Sequence, residues 1–359
     1  MKISSVTVKP LQLQITEPIK IPWGDIVSLM GVLVVAKSSE GIKGYGTTAT
    51  VPPYAGMTEE SLLSVIKYIA PVLEGVDPFD LEEISTRMDR RIAGNYPAKN
   101  AIDMAIYDLL GKIVGVPTVK LIGGRVRKSF VTDRALFEKS LKEMARDAIR
   151  AVKEEGFKAF ELHIGSTPER DVETVRTIRE AVGDKIVIVA DAHKHWNVKS
   201  AITTLRKLED FNIIVEQPTE TINQLAEVRK AVGVQICADE SCHTIADAEQ
   251  IIEKKAADII TVKIIKAGGI WNARKIVNIA EAAGLSCRVD GVPGDTKLSN
   301  TASAHLALSI KTLVPGSGVM QHYYSLKKDI TAVGGGGLIF RDGEVSVPDT
   351  PGFGVHLKE

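Results

Sequence analysis

Cysteine is scarce in this 359-residue chain, which has three: Cys237, Cys242 and Cys287. They show neither the paired spacing of a metal site nor a disulfide framework, so a reducing, cytoplasmic setting is expected. Net charge is missing as well. Forty-five Lys and Arg residues balance 45 Asp and Glu residues, and no long block carries one sign. The electrostatic footprint of a nucleic-acid binder, or of a protein that docks on an acidic membrane, is therefore lacking, and the expected partner is a small molecule. No apolar run reaches the length that spans a bilayer. The start, Met1-Lys2-Ile3-Ser4-Ser5-Val6, alternates like a strand and has no apolar signal core. Low complexity is confined to the glycines Gly334 to Gly337.

What is present is a rhythm. Four short apolar runs end in a charge: Val187 to Asp191, Ile213 to Glu216, Gln235 to Asp239 and Asp258 to Lys263. The steps from Asp191 to Glu216, to Asp239 and to Lys263 are 25, 23 and 24 residues, and a helix-like segment follows each run. Short β-branched runs alternating with amphipathic helices read as βα units, and equal spacing predicts a closed barrel. In such a barrel the strand C-termini share one mouth, so three acids and a lysine meet there. The same alternation predicts strands at 129–132, 157–164 and 285–289, a last one near 318–321, and helices at 136–155, 168–182, 270–283 and 296–309.

The first 124 residues read differently. Residues 2–13 alternate as a strand, 31–37 and 41–48 form a hairpin, and helices are expected at 58–73, 80–92 and 98–114. Between the first strand and the hairpin, residues 17–28 read as a surface loop and a candidate lid. This gives an α+β domain over 1–124, a barrel over 125–325, and a tail over 326–359 expected to pack back on the N-terminal domain.

Asp191, Glu216 and Asp239 are hard oxygen ligands whose convergence would be strongly repulsive without a divalent cation; Mg2+ suits them, and Mn2+ is a second option. Any one of these acids could instead cap the next helix. A lysine beside a cation can act as a base, which nominates Lys263, with a salt bridge to Asp239 or Glu240 as the plainer role. Lys266, before Ala267-Gly268-Gly269, reads as the structural lysine.

These residues resemble a family. Asp191, Glu216-Gln217-Pro218, Asp239-Glu240-Ser241 and Val262-Lys263-Ile264-Ile265-Lys266-Ala267-Gly268-Gly269 are similar to the enolase superfamily, in its muconate lactonizing enzyme and mandelate racemase-like group. Gly41 to Gly46, Ala101 to Leu109 and Pro348 to Gly354 extend the resemblance over nearly the whole chain. It implies an α/β fold: a modified (β/α)7β TIM-like barrel with an α+β capping domain built from both termini. It also implies metal-stabilised enediolate formation after an α-proton leaves a small carboxylate, with a lysine or histidine base and Mg2+, and it suggests a homo-oligomer.

Departures from the family pattern concern the second proton. The subgroup's Lys-x-Lys on the second strand is here Glu161-Leu162-His163, with both side chains on one face. His163 would stand at the family's base position. Glu161 would replace a cation, repel a substrate carboxylate or orient His163; a buried acid-imidazole contact without catalysis is the alternative. His193, two residues after Asp191, resembles the general acid of acid-sugar dehydratases, or else holds the metal cage. The last strand, Val319 to Tyr324, lacks the Asp-x-Asp that binds an ammonium in dipeptide epimerases, which disfavours that reaction. Trp23, Lys266, Asp290 and His322 are further candidates for substrate contact, and Asp295 shares the loop of Asp290. Both unusual histidines suit proton delivery, so the leading expectation is dehydration of a hydroxy acid or acid sugar. Racemisation or epimerisation, cycloisomerisation, and a non-catalytic metal-binding protein are the alternatives.

Overall fold

A computed structural model describes residues 1–15, 19–21, 24–26, 29–50, 52, 56–136, 140–320, 326–328 and 331–357. Seven parallel strands run in chain order, Arg134–Leu136, Ala159–His163, Val187–Asp191, Ile213–Glu216, Gln235–Ala238, Ile259–Val262 and Ser286–Val289. Their side chains are almost wholly buried, because helices cover the outside and packed side chains fill the inside, as in parallel sheets generally. The ring is closed by the segment 312–317. Leu313 bridges Cys287 of the seventh strand, and Ser317 bridges Thr132 beside the first.

Two of the expected strands move. Phe130–Val131 pairs antiparallel with the tail strand Glu344–Ser346, and the barrel strand begins at Arg134. Its three residues leave the next helix to start at Leu141, where Ser140 and Glu143 form a capping box. The closing segment lies earlier than 318–321, and pairs through isolated bridges. Pro315 has no N–H to donate there and Gly316 has φ +86°, so a regular ladder cannot form.

The N-terminal part is a sheet ordered Leu326–Lys328, Ile3–Ile15, Leu29–Ser38, Lys43–Ala49, with helices Glu59–Ile69, Leu81–Arg91 and Tyr96–Val114. The tail thus supplies an edge strand to the first sheet, and Phe353 donates its N–H to Asp108 on the third of these helices (2.9 Å). Described residues of the candidate lid form a small hairpin, Ile19–Ile21 with Gly24–Ile26.

Helix Tyr96–Val114 is buried from Pro97 to Gly111 because it lies between sheet and barrel. Two contacts explain how it fits. Gly44 and Gly46 lie so close that a Cβ on either would stand 2.1 or 2.0 Å from the carbonyl oxygens of Ala105 and Ala101. On its other side, Asp103 accepts the Ile270 N–H at 2.6 Å and so caps the barrel helix Ile270–Ala282. Gly269, with φ +131°, has no Cβ to meet that carboxylate. Among the described residues no helix is long and apolar enough to cross a membrane.

Candidate active site

Strand register lines up the mouth. His163 pairs with Asp191, Asp191 with Glu216, and Glu216 with Cys237, two residues before Asp239. Val262 pairs with Val289, which sets Lys263 beside Asp290. Asp191, Glu216, Asp239, Lys263, Lys266, Glu161 and Asp290 are all more than nine-tenths buried. The sequence therefore concentrates charge where water cannot solvate it, and each group needs a partner.

The acids are crowded. Carboxylate oxygens of Glu216, Asp239 and Asp290 lie within 4.8 Å of one another. Burial pushes the pKa of Glu216 well above the usual range, Arg288 opposes this, and Asp191 and Asp239 raise it further. Asp239 behaves oppositely. Burial would raise its pKa, but Lys263 and Lys266 hold it well below the ordinary value. Asp191 is engaged on its own side: its Oδ2 meets His193 Nδ1 at 2.6 Å and its Oδ1 accepts the His193 N–H at 2.8 Å. A crowd of buried oxygens whose mutual repulsion is this visible fits a hard divalent cation, with Glu216 and Asp239 facing it and Asp191 or Asp290 as the next ligand.

The two lysines differ. Lys263 Nζ lies 2.9 Å from Asp239 Oδ2 and 2.8 Å from Asp290 Oδ2. Lys266 donates to Asp239 Oδ1, to the Asp239 carbonyl at 2.6 Å and to the Thr261 carbonyl at 3.2 Å, which ties one strand end to the next. All of these partners are buried protein oxygens. Asp290 is turned to Lys263 and Arg288. Trp23 and His322 lie outside the described residues.

On the second strand, His163 Nε2 is 3.5 Å from Glu161 Oε1, and its ring packs 4.9 Å from that of His193. Burial would lower the pKa of His193, but Asp191 above all, then Glu240 and Glu161, lift it to about 9. With Nδ1 committed to Asp191, His193 orients that carboxylate. Asp295 accepts the Val292 N–H at 2.9 Å and shapes the loop after the seventh strand.

Two residues were not singled out from sequence. Arg288, fully buried, reaches Asp133 (2.7 Å), Glu161 (2.5 Å), Glu216 (2.8 Å) and Asp290 (3.3 Å), and donates to the Gly316 carbonyl (2.8 Å). It supplies from the seventh strand the positive charge missing from the second, so Glu161 is neutralised within the protein; despite burial, its pKa is held well below the usual range, with Arg288 the strongest influence in that direction. The signal was a guanidinium inside the apolar run Leu285 to Val289. Gln217, with φ +38°, accepts from the N–H groups of Asp239 (2.8 Å) and Ser241 (3.1 Å) and donates to the Ser241 hydroxyl (2.6 Å). Its strained backbone helps aim two strand ends at one point.

Barrel and cap together define an α/β-barrel protein with a capping domain, and buried acids gather at the barrel mouth. Residues 3–123 match the mandelate racemase / muconate lactonizing enzyme N-terminal domain, and residues 143–359 match the enolase C-terminal domain-like family. The chain belongs to the mandelate racemase / muconate lactonizing enzyme group of the enolase superfamily. It is 33% identical to an L-Ala-D/L-Glu epimerase of Clostridium acetobutylicum, over 99% of each chain. It is 31% identical to an N-succinyl-L-Arg/Lys racemase of Bacillus cereus, over 100% of this chain and 96% of the other. A dipeptide epimerase of Enterococcus faecalis, solved with Mg and L-Leu-L-Tyr, superposes with a TM-score of 0.93 at 32% identity, covering 99% of this chain and 100% of that one. These relatives are isomerases. They favour the isomerase alternative over dehydration. Magnesium is in the neighbouring structure; nothing speaks for manganese.

Proposed function

We propose that the chain is a Mg2+-dependent racemase or epimerase that removes the proton next to a carboxylate and returns one to the opposite face. Asp191, Glu216 and Asp239 are the metal ligands in this reading. One observation supports it: Lys263 follows the sixth strand and His163 ends the second, four places apart in a ring of seven strands and a closing segment, which puts the two on opposite sides of the mouth in this reading. Lys263, as the free amine, takes the α-proton on its face. His163, as imidazolium, donates from the other, and the reverse reaction exchanges these roles. Glu161 and Arg288 hold His163 in line, and His193 holds Asp191. When bound, the divalent cation would take up the carboxylate charge that grows as the proton leaves.

The test is incubation with MgCl2 in deuterium oxide with a panel of free dipeptides, N-succinyl amino acids and hydroxy acids, following α-deuterium by proton NMR. Exchange with inversion is the expected result. Lys263→Ala should lower it by about 10²–10⁴-fold. No exchange on any compound, with Mg2+ bound, would leave the non-catalytic metal-binding alternative standing.

A further inference from the structure

We propose that Gln217 is a positioning residue for the cation site. Its side chain sets the spacing of the strand ends that carry Glu216 and Asp239, and so makes the site select Mg2+ over the larger Ca2+. This rests on those two acids being cation ligands, as in the proposed function, and holds whichever of Asp191 and Asp290 completes the set.

Gln217 follows Glu216 in the chain and is fully buried. Its side chain crosses from its own strand end to the next. The amide oxygen accepts the N–H groups of Asp239 at 2.8 Å and Ser241 at 3.1 Å. The amide nitrogen donates to the Ser241 hydroxyl at 2.6 Å and to the Thr219 carbonyl at 2.9 Å. A primary amide offers two donors and two acceptor positions, so its whole capacity is spent on these partners. The backbone is engaged too: the N–H donates to the Cys237 carbonyl at 2.9 Å, and the carbonyl accepts the Lys194 N–H at 2.7 Å. One residue therefore ties together the loops that follow Asp191, Glu216 and Asp239.

The arrangement is held against backbone preference. Gln217 has φ +38°, and His193 and Lys194, in the loop it binds, have φ +45° and +65°. Residues with bulky side chains persist at such angles where the surroundings over-determine them, and here the hydrogen bonds of Gln217 do so. Fixed strand ends matter for the choice of ion. Mg2+ demands oxygens at about 2.0–2.1 Å in a near-octahedral array, whereas Ca2+ accepts about 2.3–2.6 Å and irregular geometry. A frame that cannot widen penalises the larger ion. One that loosens loses that discrimination.

Calorimetric titration of the metal-stripped chain with MgCl2 and with CaCl2 decides the matter without a substrate. Two substitutions separate reach from strain. Gln217→Met keeps the length of the side chain and loses all of its hydrogen bonds. Gln217→Asn keeps an amide and suits the left-handed backbone, but is one carbon too short to span the loops. Both should weaken Mg2+ binding by about 10–100-fold and Ca2+ binding by less, so that the preference for Mg2+, as a ratio of dissociation constants, falls at least about fivefold. A merely structural role would lower the melting temperature without metal and leave that ratio as in wild type. This result, in either folded variant, overturns the proposal. If neither variant folds, Ser241→Ala removes one partner of the amide and should lower the same ratio at least about threefold; an unchanged ratio there is equally decisive against it. Failure of the wild-type chain to bind Mg2+ would instead sink the function reading, and this inference with it.

Discussion

Buried single residues set the pH response of the fold, and His305 shows how. It sits in helix Lys297–Leu308, fully buried, and its Nδ1 accepts the Val119 N–H at 3.0 Å, so the ring is neutral. Burial pushes its pKa down to about 3. In the unfolded chain the same ring takes a proton near the ordinary value of about 6.5. Below that pH the unfolded state binds more protons, so the stabilising share of His305 is complete above about 6.5 and is lost as pH falls towards 3. The slope from this group approaches about 1.4 kcal/mol per pH unit. Urea unfolding of wild type and His305→Gln between pH 7 and 4 should give a shallower decline for the variant; parallel curves would show that His305 is not responsible. Residues also mark the limits of sequence reading. Asp191, Glu216, Asp239 and Lys263 were legible because each closes an apolar run at regular spacing. Arg288 and the inward turn of Asp290 were not, because their partners Asp133, Glu161 and Glu216 lie on other strands and register alone brings them together.

Elements were legible where one period dominates. The helices at 168–182 and 270–282 and the hairpin strands were apparent from amphipathic or alternating patterns, whereas the first and last barrel strands were misplaced. Arg134–Leu136 is too short to show alternation, and Pro315 and Gly316 interrupt the closing segment. The close seat of strand Lys43–Ala49 on helix Tyr96–Val114 also escapes a one-dimensional reading. There the glycines do the work: in Gly46→Ala the new Cβ would stand 2.0 Å from the Ala101 carbonyl and 2.8 Å from the Ala105 nitrogen, both backbone atoms. Strand and helix must part, and overpacking of this kind costs about 1–3 kcal/mol. Chemical denaturation should show that loss, and an unchanged midpoint would mean that the seat is looser than described.

At the scale of the molecule, the acidic mouth stores repulsion that a cation would relieve. An ion that binds the folded chain and not the unfolded one stabilises by mass action, about 2.7 kcal/mol at a hundred times its Kd. Thermal unfolding should therefore shift upward with MgCl2 and return with a chelator. Glu216→Gln should abolish most of the shift while raising the melting temperature without metal, since it removes one of the crowded charges but keeps an acceptor for Arg288. A full Mg2+ shift in that variant would argue against Glu216 as a ligand.

The edge strand Leu326–Lys328 pairs with Ile15 and Gln14, more than 300 positions earlier in the chain. During synthesis the outer edge of the first sheet must wait, unpaired, until nearly the whole barrel has emerged. An open edge invites pairing with other chains, and contacts this distant in sequence close slowly. Ribosome-bound chains halted before residue 326 should therefore be the species that most needs a chaperone, although their N-terminal sheet already contains three of its four strands.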